Sequence, residues 1–174
     1  SLFKTMETNG KISAGNIAKG AAAGLIGGLV ASFVMNEFQS LWTKVSSEQK
    51  QQTGEEQEPS TVKAAEAISE TVLDRKLTKG EKAYAGPAVH YAMGGTSGAI
   101  YGAVSEMMPT ATLGAGLPFG AAVWVVADDI VVPALGLSKP VTEYPLSIHA
   151  YALASHFVYG LTTEAVRGAV RKAL

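Results

Sequence analysis

The sequence predicts an all-α integral membrane bundle of four transmembrane helices with one amphipathic surface helix. Three observations carry this. Charged residues make up 17% of the 174 residues, against about 25% in ordinary soluble domains. They are also unevenly placed: Gly86 to Ser138 holds only Glu106, Asp128 and Asp129, whereas the stretch from Lys44 to Lys82 is densely charged. Finally, 19 glycines are costly in water-exposed helices, at about 1 kcal/mol each, but suit membrane helices that approach backbone to backbone. The length fits one membrane domain over residues 1–174.

Ser1 to Lys19 is polar and reads as a surface lead-in. The first span is expected over residues 20–45, where an apolar run passes into Asn36, Glu37, Phe38 and an interfacial Trp42. A signal peptide fits less well, because the run does not end at small residues. Gly20, Gly24, Gly28, Ser32 and Asn36 form a row at four-residue spacing. Such a row drifts about 40° per step and favours a right-handed crossing with a partner helix.

Ser46 to Thr61 reads as a loop by composition. Residues 61–79 read as the surface helix: Thr61 caps it, Val62, Ala65, Ile68, Val72 and Leu73 form its apolar stripe, and Lys63, Glu66, Glu70 and Asp74 the opposite face. The second span is expected over 86–108, with Gly94, Gly98 and Gly102 repeating the four-residue row and Pro109 ending the helix. His90 and Glu106 flank that row, but about 160° apart around the helix.

The third span, 113–137, contains Asp128 and Asp129. Pro133 lacks the N–H that would bond the Asp129 carbonyl in a continuous helix. Either the helix ends there at the membrane surface, or the break lines a polar cavity. The fourth span, 145–170, follows Pro145, which suits a first helical turn. It carries His149 and His156, which lie seven apart and share one face, and it closes with the basic residues Arg167, Arg171 and Lys172. Four spans bring both ends of the chain to one side.

The residues GLVASFVMNEFQ in the first span, then Gly120, Trp124, Asp128–Asp129, Pro133–Leu137 (PALGL), His149, His156 and Tyr159–Gly160, resemble the YagU-like family of small bacterial inner-membrane proteins, a domain of unknown function. The resemblance covers roughly two-thirds of the chain and leaves out the Glu/Gln-rich stretch before Thr61. It implies a multi-pass protein of the bacterial inner membrane. It brings no reaction, cofactor or ligand.

Ionisable groups in apolar spans cost about 2.5–3.5 kcal/mol each and tend to face the bundle interior. His90, Asp128, Asp129, His149 and His156 form the expected intramembrane polar cluster. Glu37, Glu106 and Glu164 lie near span ends and read as interfacial. Gly20, Gly24, Gly28, Gly94, Gly98 and Gly102 are the expected packing residues. Three functions follow: a structural or accessory subunit of a larger membrane assembly, a proton or small-solute path along the His and Asp residues, or a metal or haem site. The histidine spacing disfavours one ion bridging His149 and His156, since two turns separate them by about 10.5 Å of rise, and bundle metal sites use closer pairs. No enzyme motif is present, and no cofactor is called for. The expected partners are the lipid bilayer and other membrane subunits or a second copy. A net charge of −1 points to no nucleic acid.

Overall fold

The computed structural model describes residues 12–46 and 58–174. Residues 1–11 of the expected lead-in and 47–57 of the loop lie outside the described residues; the rest of the lead-in is not separate, because residues 14–19 already belong to the first helix. Five helices and no strand occur among the described residues: α1 (Ala14–Val45), α2 (Ser60–Leu73), α3 (Lys79–Met107), α4 (Leu117–Ala134) and α5 (Leu146–Ala173). Helix α1 starts where Ser13 turns extended and its Oγ accepts from the Asn16 N–H at 3.1 Å, satisfying a donor with no partner in the first turn. Helix α3 stops at Met107, ahead of Pro109. Pro145 caps α5 from outside in an extended conformation.

The surface helix is shorter than expected. Asp74 adopts a left-handed conformation (φ 53°) and ends α2. Thr78 then opens α3 with a reciprocal capping box to Glu81. Pro59, not Thr61, caps α2. Its inward stripe is also narrower: Ala65 and Ser69 are buried against α3, while Ile68, Val72 and Leu73 face outward. Small residues at i and i+4 let α2 approach α3 closely. The Val62 side chain lies where a Cβ on Gly86 would stand, 2.5 Å away.

Arg75 braces this corner, reaching both Glu81 oxygens at 2.9 and 2.7 Å. Its guanidinium, with the Thr78 N–H and hydroxyl, holds the Glu81 carboxyl down from 4.5 to about 2. A folded-state value below the unfolded one stabilises the fold above the ordinary carboxylate range, and the contribution is lost as pH falls toward 2. The protection of the Thr78–Lys82 amides, taken relative to their own unfolded exchange rate at each pH, is therefore expected to fall between about pH 4.5 and 2, and Glu81→Gln to remove that dependence.

Helix α1 sits at the centre, antiparallel to both α3 and α5. Gly20, Gly24 and Gly28 face Gly102, Gly98 and Gly94 in turn, backbone against backbone. All six expected packing glycines thus meet within this chain. A second close contact joins α4 to α5, where Gly116 and Gly120 meet Gly160 and the His156 carbonyl. Lys19 donates to the Leu174 carbonyl at 2.7 Å, so the start of α1 and the end of α5 lie together. Ala31, Met35 and Tyr159 form the core, with Phe119 and Val123 packed on it.

By length and apolar composition, two helices could cross a membrane: α1, with mean hydropathy 1.7 over its most apolar stretch, and α4, with 1.5. The expectation of four such spans is not met on this measure. Helices α3 and α5 spend many positions on Gly, Ser, Thr, His and Tyr, which lower their mean hydropathy. The third span is also shorter than 113–137, because Gly114, Ala115 and Gly116 form a left-handed turn before Leu117.

Polar side chains are buried beside this core, and several large apolar ones are not. Ser32, Ser69, Ser105, Ser155, His156, Thr163 and Arg167 are buried, while Phe33 (54% exposed), Ile100 (61%) and Ile130 (56%) face outward.

Candidate functional site

The middle of α4 is wound as a π-helix, Trp124–Val131, in which hydrogen bonds run from i to i+5. The Val132 N–H, for example, bonds the Ala127 carbonyl. In an α-helix, Asp129 would lie about 140° from Trp124. The wider π turn brings Asp129 nearer to Trp124, while Asp128 and Asp129 remain about 80° apart. Both carboxylates line the same cleft. Both features foreseen at Pro133 occur: the helix ends at Ala134, one residue beyond it, and the π-wound turn before it lines a cleft.

The cleft has a volume of about 730 Å³, within the range of small-molecule sites. Its walls come from α1 (Ser32, Met35, Asn36), the first turn of α2, α3 from Gly86 to Ser97, α4 from Val123 onward, the connection carrying Lys139 and Tyr144, and α5 from Ile148 to Tyr159. His90, Asp128, Asp129, His149 and His156 all lie on it.

Each histidine is oriented by a main-chain carbonyl. His156 Nδ1 lies 2.8 Å from the Ala152 oxygen one turn back, and Nε2 then faces Asp128 Oδ2 at 3.7 Å. His149 Nε2 lies 3.0 Å from the Val141 oxygen, and its ring meets Trp124 and Tyr144 edge-on, with centroids 6.3 and 6.4 Å apart. His90 Nε2 lies 3.5 Å from the Ser32 oxygen. A carbonyl only accepts, so the nitrogen facing it carries the ring proton. Asp128 and His156 are therefore the one expected pair that the fold brings into ionic range. His149 and His156 share the cleft but face different partners. Among the described residues, no three His, Asp or Glu side chains stand close enough to hold a metal ion, so the metal alternative finds no donor set there.

Several lining residues give no chemical signal in the sequence. Tyr159 donates to the Gly94 carbonyl at 2.6 Å and ties α5 to α3 across the cleft floor. The first turn of α2 closes one side, where the sequence suggests a helix on the membrane surface or against a partner subunit. Of the interfacial glutamates, Glu37 is exposed. Glu106 pairs with Arg171 at 2.7 Å. Glu164 is drawn inward, accepting from Arg167 at 2.7 and 2.8 Å and from the Tyr101 hydroxyl at 2.8 Å. The i,i+3 spacing of Glu164 and Arg167 is visible in the sequence; the arrival of Tyr101 from α3 is not.

No curated protein and no solved structure matches this chain. One family does, over residues 53–165. That stretch contains all five cleft residues together with α2, α3 and α4. It leaves out α1, whose GLVASFVMNEFQ segment contributes to the resemblance drawn from the sequence, and it includes part of the Glu/Gln-rich stretch. Because the match spans more than half of the sequence, the chain belongs to the family described as Protein of unknown function (DUF1440).

Proposed function

We propose that this is a multi-pass protein of the bacterial inner membrane whose cleft carries a proton or small solute along His90, Asp128, Asp129, His149 and His156. The observation that supports it is their convergence on one cavity in a chain that leaves many large apolar side chains facing outward while burying Ser, Thr, His and Arg side chains. Outward apolar and inward polar side chains are what lipid as solvent favours. On this reading α1, α3, α4 and α5 all enter the bilayer. The lengths of α3 and α5, 29 and 28 residues, exceed the roughly 20 needed to span it. Their averaged hydropathy is lowered by Gly, Ser, Thr, His and Tyr. Four helices make a thin bundle, so a second copy is expected to complete the wall of a path.

The test is proton flux into liposomes carrying the purified chain. Flux is expected in the native protein and is expected to fall to the protein-free level in His156→Ala. Unchanged flux in that variant removes the relay.

A second reading, an accessory subunit of a larger membrane assembly, draws on α4. Gly120 is the one buried residue of that helix, and Val125, Val126, Ile130 and Val131 are open on its outer side. Native mass in detergent tests it, since a lone monomer counts against it.

A further inference from the structure

Around Asp128 and His156 the hydrogen-bonding groups are unbalanced, and the imbalance describes a ligand; Asn36, Gln39, Ser97 and Tyr144 offer donors elsewhere on the cleft wall. Each histidine directs its N–H at a main-chain carbonyl, which leaves the other nitrogen of a neutral ring as a lone pair. The hydroxyls of Ser32 and Tyr159 also spend their protons inside the protein, on the Gly28 and Gly94 carbonyls. Of the formally charged side chains lining the cavity, two are acidic, Asp128 and Asp129, and one is basic, Lys139, which is exposed at the edge. Asp129 meets no ion-pair partner among the described residues. Asp128 faces His156 Nε2 at 3.7 Å, so with a neutral ring two acceptors confront each other with no proton between them.

A donor-rich positive group standing beside Asp128 and His156 satisfies both at once and neutralises the excess acid. The remaining walls, including Met35, Val123, Val132, Leu135 and Ile148, are apolar, and Trp124 adds an aromatic face of the kind that attracts cations.

We infer that the cleft recognises a small organic cation, a primary ammonium on an apolar body, with the carboxylates of Asp128 and Asp129 taking the charged head. This rests on the proposed solute-binding role of the cleft and names the class of solute. An ammonium of the lysine type keeps its charge at about pH 8, where an ordinary histidine is neutral, so that pH separates the cation from the proton.

The experiment titrates the purified full chain in detergent at about pH 8, in a Trp42→Phe background so that emission reports Trp124. The probes are hexylammonium, hexanol and hexanoate, which share one apolar body and differ in charge. Hexylammonium is expected to give a saturable change. Hexanol is expected to bind about tenfold more weakly or worse, and hexanoate not to bind. Asp129→Asn is expected to weaken hexylammonium by about tenfold or more, and Asp129→Glu to retain most of the affinity. If Asp129→Asn does not elute as folded protein, Asp128→Asn serves in its place. No response to hexylammonium, or an undiminished response in the folded Asn variant, overturns the inference. Saturable binding of hexanol or hexanoate at equal or greater strength overturns cation recognition while leaving a solute-binding cleft in place. Loss of the solute path itself is read separately, from liposome flux.

Discussion

Gly98→Leu is expected to leave no folded protein that can be purified. A Cβ at position 98 would run into the Gly24 carbonyl and stand 2.8 Å from the Gly28 Cα. Both obstacles are backbone atoms of α1, so no side-chain rotation relieves them. The same holds in reverse for Gly24, whose Cβ would meet the Gly98 carbonyl and the backbone of Gly102. Overpacking a tight core costs about 1–3 kcal/mol and sometimes more; Gly98→Ala is expected in that range and Gly98→Leu beyond it. Because α1 also supports α5, separation of α1 from α3 unseats the cleft as well. The matched control is Gly168→Ala, where nothing lies within 4 Å of an added Cβ. There the helix-propensity gain of up to about 1 kcal/mol is expected to appear as a slightly raised melting temperature. Thermal unfolding in detergent compares the three. A Gly98→Leu protein that elutes and melts like the native one contradicts the glycine-lined contact.

These glycines also show what the sequence could convey. The four-residue rows on α1 and α3 are plain from spacing alone, because the helical period is fixed. Which row meets which, and in what register, depends on the path of the chain between them. The contact of Gly116 and Gly120 with Gly160 is hidden for the same reason: one partner sits in a left-handed turn and carries no periodic signal. The start of α3 is legible as the Thr78-x-x-Glu81 signature, but the charge pattern of α2 runs on through Lys79 and obscures it. At the cleft, His149 and His156 share a face by simple arithmetic. The joint placement of Asp128 and Asp129 does not follow from that arithmetic, since neighbours on an α-helix diverge by about 100°. It depends on how the other helices enclose a cleft broad enough to reach both. Membrane candidacy was legible for α1 and α4, which are apolar nearly all round. Helices α3 and α5 carry Gly, Ser, Thr, His and Tyr along their length, which keeps their average hydropathy below that of α1 and α4.

Arg167→Met is expected to cost about 3–5 kcal/mol of stability, while Arg167→Met combined with Glu164→Leu is expected to recover most of it. Arg167 is buried, and its guanidinium holds both oxygens of Glu164. It also lies over the Tyr101 ring, 5.9 Å from the centroid, and Tyr101 in turn donates to Glu164. Removing the cation alone strands a carboxylate between α3 and α5 with only a phenol for company. Removing both charges leaves apolar side chains of comparable size in a place where neither water nor an ion is required. The double variant loses the carboxylate that Tyr101 binds, so Tyr101→Phe added to it is expected to change little, whereas Tyr101→Phe alone removes a hydrogen bond to a charged group and is expected to cost about 1.5–3 kcal/mol. Thermal unfolding of the single, double and triple variants measures the coupling. If the double variant is as unstable as Arg167→Met, the cost lies in the lost packing of the arginine stem beneath α1, where Gly27 meets the backbone of residues 163 and 167, and not in the isolated charge. Recovery in the double variant with loss of liposome flux assigns the ion pair a part in conduction. Recovery with flux intact confines it to holding α5 against α3 below the cleft.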